Sequence, residues 1–329
     1  DLNDAATGGT FEFANVDPNE SYWGSGSATD TLFLTVQSGD TGFEYLGGGD
    51  PAALDEPNFV LGSTAGDVFV GSDGADAFLD RGGDDVIRGG LGADTLNGGA
   101  GNDDYLITPE IYNGDGDNSI ADEFITGDII SDNGDSGDTD RVFIGSSIEG
   151  APNTVDFTQG TLQGIEEVLY AERNSDGTAD HAAGFRRIVD VTNEQFDGVD
   201  QFTGSDATAD RLEINFANNG DAIDGSAPIV DDIEQVVLDT SGDGIAGEKN
   251  QIDASGINAE DAIVYVRGDA DDNNDVLQVD NLAADLLANG GFGSIYAGEL
   301  DINLKEDAGT DGVVNISTGS DDTTVTTRN

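Results

Sequence analysis

Apolar side chains recur every nine residues between positions 60 and 105, and an aspartate stands two positions before each of them. The apolar members are Phe69, Phe78, Ile87, Leu96 and Tyr105, and the aspartates are Asp67, Asp76, Asp85, Asp94 and Asp103. This period fits neither a helix nor a long alternating strand. It predicts a coil in which each block supplies a three-residue strand, with its apolar residue pointing inward, and a glycine-rich turn whose aspartate faces outward.

Two blocks make one full turn of such a flattened coil, so every second turn lies on the same side. We expect turns 62 to 67, 80 to 85 and 98 to 103 to stack on one side. Turns 71 to 76 and 89 to 94 then stack on the other. The stacked aspartates and turn carbonyls form rows of hard oxygen ligands, which suit calcium better than a soft or transition metal.

A flexible linker rich in glycine and aspartate is the alternative interpretation of residues 60 to 105. A linker would explain the composition of this segment, but it would not require aspartates and apolar residues at fixed positions in each nine-residue block. The aspartates and the apolar residues keep their spacing through five consecutive blocks. We therefore favour the coil.

The blocks also share a glycine pattern. GGLGADTLN and GGAGNDDYL match the nonapeptide G-G-x-G-x-D-x-U-x in full, and GSTAGDVFV, GSDGADAFL and DRGGDDVIR match it in part. In this respect the segment resembles the repeats-in-toxin (RTX) family, whose nonapeptides form a parallel β-roll with calcium between successive turns on each side. Ala65, Asp80 and Arg81 depart from the pattern at positions where it has glycine. These departures predict weaker or differently built sites.

The resemblance implies that the cofactor is calcium, with several ions and roughly three complete sites between turns two blocks apart. It implies that the five periodic aspartates are the side-chain ligands. The implied backbone ligands are the carbonyl groups of Gly71, Ser72, Gly74, Gly83, Gly89, Gly90, Gly92, Gly98, Gly99 and Gly101.

The rest of the chain keeps the alternation of short apolar runs with turns rich in glycine, aspartate and asparagine. Residues 128 to 142 resemble the segment that commonly follows RTX blocks. An Ile-Glu pair before a strand occurs at Ile165-Glu166 and again at Ile233-Glu234. We therefore expect a continuing solenoid in which neighbouring repeats complete one another's core.

The predicted organisation has four segments. They are an N-terminal β-rich repeat at 1–58, the calcium β-roll at 59–110, an irregular continuation of the solenoid at 111–190, and further solenoid repeats at 191–329. One short helix is predicted from Leu282 to Ala288. Because residues 318 to 325 begin another copy, we expect the repeats to continue beyond Asn329.

The net charge of −57 over 329 residues opposes compaction unless cations are bound or the salt concentration is high. A halophilic protein would be similarly acidic, but it would not need periodic aspartates. The chain has no basic stripe, which argues against binding to nucleic acid or to an anionic membrane.

The chain contains no cysteine and no methionine. An extracellular protein stabilised by ions needs no disulfides, so the lack of cysteine fits a calcium framework. Without an initiator methionine, we expect a processed product or a fragment. No signal peptide and no apolar run long enough to span a bilayer is present.

A second candidate metal site follows the strand after Ile233-Glu234. Asp239, Ser241 and Asp243 have the D-x-S-x-D-G order of an EF-hand-like calcium loop, although Asn250 occupies the place of its final glutamate. Residues 172 to 177 form a looser version. Plain solvated turns are the alternative at both places.

No catalytic constellation is evident. His181 is the single histidine, and neither a cysteine nor an HExxH or GxSxG motif accompanies it. Carboxylates sit in the turns of repeats, where metal ligation explains them better than a glycosidase pair does. We predict that the chain is not an enzyme.

These observations predict an all-β fold, an elongated parallel β-roll or β-helix (solenoid) with calcium-binding turns and additional β-rich repeats. The predicted function is that of an acidic, secreted calcium-binding protein that self-assembles at the bacterial cell surface as a surface-layer or filament subunit. The resemblance also implies type I secretion, with folding in extracellular calcium. The expected partners are calcium, further copies of the chain and a cell-surface polysaccharide. The alternatives are an adhesin stalk and the non-catalytic tail of a secreted hydrolase or toxin.

Overall fold

The structure is a computed structural model, and it divides into two compact units, Asp1–Asp180 and His181–Asn329. The secondary-structure elements are numbered below in chain order. The model describes residues 10–16, 22–23, 31–36, 44–46, 58–72, 74–108, 124–134, 137–145, 154–181, 186–206, 210–216, 222–223, 228–239, 249–253, 263–267, 276–282, 299–304 and 323–327.

The first unit contains two parallel sheets that take strands alternately from the chain. The first sheet consists of β1 (Thr10–Val16), β3 (Thr31–Val36), β5 (Asn58–Leu61), β7 (Ala77–Leu79), β9 (Thr95–Asn97), β11 (Ile129–Ser131) and β14 (Thr161–Gln163). The second consists of β2 (Tyr22–Trp23), β4 (Glu44–Leu46), β6 (Val68–Val70), β8 (Val86–Arg88), β10 (Asp104–Ile107), β12 (Arg141–Ile144) and β15 (Glu167–Leu169).

Three shorter elements complete the described part of this unit. Strand β13 (Thr154–Asp156) leads into a single 3-10 turn, Phe157–Gln159. Strands β16 (Glu172–Arg173) and β17 (Ala179–Asp180) form a small antiparallel hairpin.

Strands β6, β7 and β9 bury only their central residue, as the sequence predicts, whereas β8 also buries Arg88 and β10 also buries Asp104 and Ile107. Phe69 and Phe78 are both fully buried, and their rings stack with centroids 4.8 Å apart. Phe69 pairs in register with Ile87, which in turn pairs with Tyr105. Every block therefore adds one apolar side chain to a continuous core, and each fully buried aromatic ring stabilises the fold by about 1.5–3 kcal/mol.

The second unit is also built from parallel strands. One sheet contains β18 (Ile188–Thr192), β20 (Arg211–Asn215), β23 (Gln235–Asp239) and β25 (Ile263–Arg267), and β19 (Gln201–Thr203) pairs with β22 (Ile229–Asp231). A third group contains β21 (Ala222–Ile223), β24 (Lys249–Asp253), β26 (Val276–Leu282), β27 (Glu299–Leu304) and β28 (Thr323–Thr327).

A short α-helix, α1 (Asn193–Asp197), follows β18 directly. Thr192 and Gln195 form a capping box at its start, which explains why this short segment is helical. The helix predicted from Leu282 to Ala288 begins at the last residue of β26, and its remaining positions lie outside the described residues.

The predicted all-β parallel solenoid is confirmed in each unit. The division into four segments stays a prediction. Among the helices that the structure describes, none has the length and apolar character required to cross a bilayer.

Candidate metal centre

The turns of the nine-residue blocks stack in two rows, as predicted. Turns 62 to 67, 80 to 85 and 98 to 103 form what we call the first row, and turns 71 to 76 and 89 to 94 form the second row. In the first row, Gly62 N donates to Leu79 O at 2.9 Å. In the second row, Gly71 N donates to Arg88 O at 2.8 Å.

A ladder of hydrogen bonds between backbone amides and carboxylates joins the turns of the first row. Asp67 N donates to Asp85 Oδ1 and Asp85 N donates to Asp103 Oδ1, both at 2.7 Å. The ladder continues past the blocks, because Asp103 N donates to Asp140 Oδ1 at 2.9 Å and Asp140 N donates to Glu166 Oε2 at 2.8 Å. One oxygen of each turn-ending carboxylate is thus bound to the turn before it.

The second row has the same ladder. Asn58 N donates to Asp76 Oδ1 at 2.7 Å, Asp76 N donates to Asp94 Oδ1 at 2.8 Å, and Asp94 N donates to Asp128 Oδ1 at 2.6 Å. The glutamates of the two Ile-Glu pairs accept hydrogen bonds of this same kind. Glu166 ends the ladder of the first row, and Glu234 accepts Asp210 N in the second unit in the same way, at 2.7 Å.

The expectation that the periodic aspartates face outward is wrong. Their exposed fractions are 1% at Asp67, 2% at Asp76, 1% at Asp85, 3% at Asp94 and 0% at Asp103. The next turn of the row covers each of them, because stacking brings successive turns into backbone contact. Burying a carboxylate is costly unless hydrogen bonds or a cation compensate for its charge.

Stacking gathers three carboxylates between the first two turns of the first row. One oxygen each from Asp67, Asp80 and Asp85 lies within 4.8 Å of the others. Asp80 Oδ1 and Asp67 Oδ2 both lie over Gly62, where a Cβ atom would be 1.7 Å and 2.9 Å from them. Only glycine leaves room for this arrangement at position 62.

A second cluster lies at the other end of the same row. Oxygens of Asp103, Asp132 and Asp140 are again within 4.8 Å of one another, and all three residues are buried. The hydroxyl of Tyr105 donates to Asp132 Oδ2 at 2.7 Å and accepts Gly98 N at 2.7 Å. Tyr105 therefore fixes the orientation of Asp132 from the core side.

Several oxygens of these clusters lack a hydrogen-bond donor. Asp80 Oδ1, Asp85 Oδ2 and Asp103 Oδ2 are buried, and no donor among the described residues reaches them. Burial, followed by repulsion from Asp80, raises the pKa of Asp85 to about 10. Burial is also the main reason that the pKa rises to about 8 at Asp103 and to about 7 at Asp80 and at Asp140. Without a cation, these carboxyl groups hold protons that they would otherwise release.

These clusters fit calcium, which takes six to eight oxygen ligands, carboxylates and carbonyls among them. When bound, calcium supplies the positive charge that the clusters lack. Asp67, Asp80 and Asp85 would hold it at one end of the first row, and Asp103, Asp132 and Asp140 at the other.

The predicted carbonyl ligands lie in tightly stacked turns. A Cβ atom on Gly101 would be 1.9 Å from Gly83 O, and one on Gly92 would be 2.5 Å from Gly74 O. Gly101 and Gly92 also have positive φ angles of 132° and 108°. At these two positions, glycine is thus required by both conformation and contact. Ligation by the ten predicted carbonyls stays a prediction.

The second row balances its charge differently. Asp76 Oδ1 accepts the backbone and side-chain N–H groups of Asn58, and Asp76 Oδ2 accepts the amide and hydroxyl of Ser72. Within the described residues, carboxylates come together in threes only in the first row. The roles of Asp76, Asp94 and Ser72 as ligands stay predictions.

The EF-hand-like candidate is only partly covered by the structure. Asp239 is buried as the last residue of β23, and its carbonyl accepts Phe216 N at 2.9 Å, while Ser241 and Asp243 lie outside the described residues. The looser version at residues 172 to 177 is the hairpin of β16 and β17. There Asp176 accepts the hydroxyl of Thr178 at 2.7 Å, as in an ordinary polar turn.

Sequence analysis missed Asp132 and Asp140 as site residues and treated Asp80 only as a departure from the repeat. The available signal was that Asp80 and Asp132 each follow a short apolar strand directly. The partners of Asp80 are 13 and 5 residues away in the chain, but Asp140 meets Asp103 across 37 residues. A nine-residue period cannot predict that contact.

The fold and the clusters together define a calcium-binding parallel β-roll. Residues 61–92 and 70–105 match the family model of the RTX calcium-binding nonapeptide repeat, so this segment of the chain consists of RTX repeats. No curated protein and no solved structure matches the chain. Because RTX repeat proteins are typically secreted, these findings support a secreted calcium-binding protein.

Proposed function

We propose that this chain is a non-enzymatic structural segment of an extracellular protein that folds in calcium and self-assembles at the bacterial cell surface. Its assembled form is a surface layer or a filament. Further copies of the chain are its main partners, and a surface polysaccharide is the proposed receptor. Type I secretion is the proposed export route.

The observation that supports this proposal is repetition throughout the described chain. Parallel strand pairing recurs from β1 to β15 in the first unit and from β18 to β28 in the second. Repeats of this kind bury a core only by stacking on their neighbours. Such a framework is suited to an extended structural role.

In this proposal, the negative charge of the chain makes its folding depend on calcium. Before calcium binds, the net charge of −57 and the buried carboxylate clusters disfavour the compact state. Millimolar calcium outside the cell neutralises the clusters, and its binding free energy then contributes to folding. The fold would thus be only marginally stable inside the cell and would be completed in calcium after export.

The test is sedimentation of the purified chain in millimolar calcium, in excess chelator and in magnesium at the same concentration, with an electron micrograph of each sample. Magnesium controls for charge screening, because it demands a smaller octahedral site. Filaments or sheets that form in calcium and dissolve in chelator would support the proposal. A chain that folds in calcium but stays monomeric would overturn self-assembly and favour a stalk or an enzyme's tail.

A further inference from the structure

Asp80 and Asp132 occupy the same structural position in two different turns. Asp80 follows β7 and Asp132 follows β11, and both strands belong to the first sheet. Asp80 N donates to Asn97 O at 2.8 Å, and Asp132 N donates to Gln163 O at 2.9 Å. Each residue thus opens its turn by bonding to the next strand of the sheet.

The two side chains are also held in the same way. Asp80 Oδ2 accepts Gly82 N at 2.7 Å, and Asp132 Oδ1 accepts Gly134 N at 2.7 Å. One oxygen of each carboxylate therefore closes its own turn, and both residues are members of three-carboxylate clusters. Asp132 is in addition oriented by Tyr105.

The turn between them opens differently. Gly98 occupies the opening position of turn 98 to 103, so the space between this turn and turn 80 to 85 has only Asp85 and Asp103 as its turn-ending carboxylates. Along the first row, the three successive inter-turn spaces therefore contain three, two and three aspartates, counting both turn-opening and turn-ending residues. Turn-opening aspartates account for the difference.

The adjacent residue Asp104 shows how this fold compensates a buried carboxylate without metal. Asp104 forms ion pairs with Arg141, at 2.6 Å, and with Arg173. Asp85 and Asp103 are 1% and 0% exposed, each has an Oδ2 with no donor, and no lysine or arginine in the described segments forms an ion pair with either. These buried, unpartnered oxygens indicate that a cation belongs in the clusters.

We propose that the turn-opening residues Asp80 and Asp132 are calcium ligands, and that each makes its site bind calcium more tightly than the two-carboxylate space between them. A third carboxylate adds attraction to a divalent cation at short range, and calcium affinity rises with the number of charged ligands. The departure from the repeat at Asp80 thereby raises the calcium affinity of its site. This proposal rests on calcium binding by the repeats and does not depend on assembly.

The test is calcium binding to the full chain, measured by equilibrium dialysis and by calorimetric titration. Asp80→Asn and Asp132→Asn each retain an oxygen that closes the turn but remove one charge. Each is expected to weaken one tight site by about tenfold or more, with the other sites unchanged. Asp84→Asn is the matched control, because Asp84 lies in the same turn as Asp80 but is exposed and accepts from Asn102. It is expected to leave all affinities within about twofold.

Circular dichroism in calcium verifies that each variant is folded. If Asp80→Asn does not fold, Asp80→Gly decides the question, because glycine is the residue that opens turn 98 to 103. Folded variants at position 80 and at position 132 that keep every calcium affinity would overturn the proposal. A native chain that binds no calcium would also overturn it, whereas a chain that binds calcium as expected but does not polymerise contradicts only the proposed assembly.

Discussion

Ser205 donates both its backbone amide, at 2.8 Å, and its hydroxyl, at 2.6 Å, to Oδ2 of the fully buried Asp210. The other oxygen of this carboxylate accepts Arg187 N at 2.8 Å. In the first unit, Ser72 caps Asp76 in the same manner, whereas Ser63 donates its amide to Oδ2 and its hydroxyl to Oδ1 of Asp67. A serine at the start of a turn can therefore supply two of the hydrogen bonds that a buried carboxylate needs.

We expect Ser205→Ala to destabilise the fold around Asp210 by about 1–2 kcal/mol, because the hydroxyl bond to a buried carboxylate is lost. The loss should be equal in calcium and in chelator, since no three-acid cluster adjoins Asp210 in the described part of the chain. Native-state hydrogen exchange of residues 186–206 and 210–216 measures it.

Ser175→Ala is the control for this prediction, because Ser175 is exposed in the hairpin turn of the first unit. It should leave exchange unchanged. A loss at Ser205→Ala that appears only in calcium would show that Asp210 is a metal ligand.

Asp85→Asn should raise the stability of the fold in chelator and lower it in saturating calcium. In chelator, the variant removes a carboxyl group that must take up a proton to be buried beside Asp80, so its melting temperature should rise. In saturating calcium it removes a proposed calcium ligand that lies between two inter-turn spaces, so its melting temperature should fall below that of the native chain. Thermal unfolding in both buffers tests this, and a change of the same sign in both would contradict the cluster as a metal site.

The pH dependence of the chelated chain follows from the raised pKa values. The pKa of Asp76, Asp80 and Asp140 is about 7 in the fold, and that of Asp103 is about 8, against 3.8 for an ordinary aspartate. A raised folded pKa means that the fold favours the protonated form. The associated stability is complete below about pH 4 and is lost as the pH rises through 7 to 8.

We therefore expect the chelated chain to be more stable at pH 5 than at pH 8.5. Calcium should reverse this order, because calcium competes with protons for the carboxylates. Urea unfolding at the two pH values, with and without calcium, measures how the free energy of unfolding changes between pH 5 and pH 8.5 in each condition. A chelated chain that gains stability between pH 5 and pH 8.5 would contradict the burial of these groups.

Gly101→Ala and Gly137→Ala form a matched pair. Both glycines have a positive φ, 132° and 128°, so both substitutions impose similar backbone strain of about 1–2 kcal/mol. A Cβ atom at position 101 would meet Gly83 O at 1.9 Å, whereas one at position 137 would meet nothing within 4 Å. Gly101→Ala should therefore cost about 1–3 kcal/mol more in the free energy of unfolding in calcium. Equal costs would mean that the turns are less tightly stacked than described.

The roll was predictable from sequence because one period fixes both the buried position and the turn. Phe69 and Phe78 are nine residues apart, and the parallel pairing of Phe69 with Ile87 repeats at 18 residues. Beyond Asp103 the ladder partners are 37 and then 26 residues apart, so no single period describes them. The cluster of Asp103, Asp132 and Asp140 depends on this irregular stacking, so only the folded structure reveals it.

The ladder of the first row has a direction. Asp67, Asp85, Asp103 and Asp140 each donate an amide to the carboxylate of the following turn, never the preceding one. A stack that grows from its C-terminal end therefore offers every arriving turn an acceptor already in place. In a stack that grows from its N-terminal end, the backbone amide of the last turn added has no carboxylate acceptor until the next turn arrives. Within a partly formed row, the N-terminal face presents a carboxylate acceptor and the C-terminal face presents a backbone amide, so the two faces are chemically different.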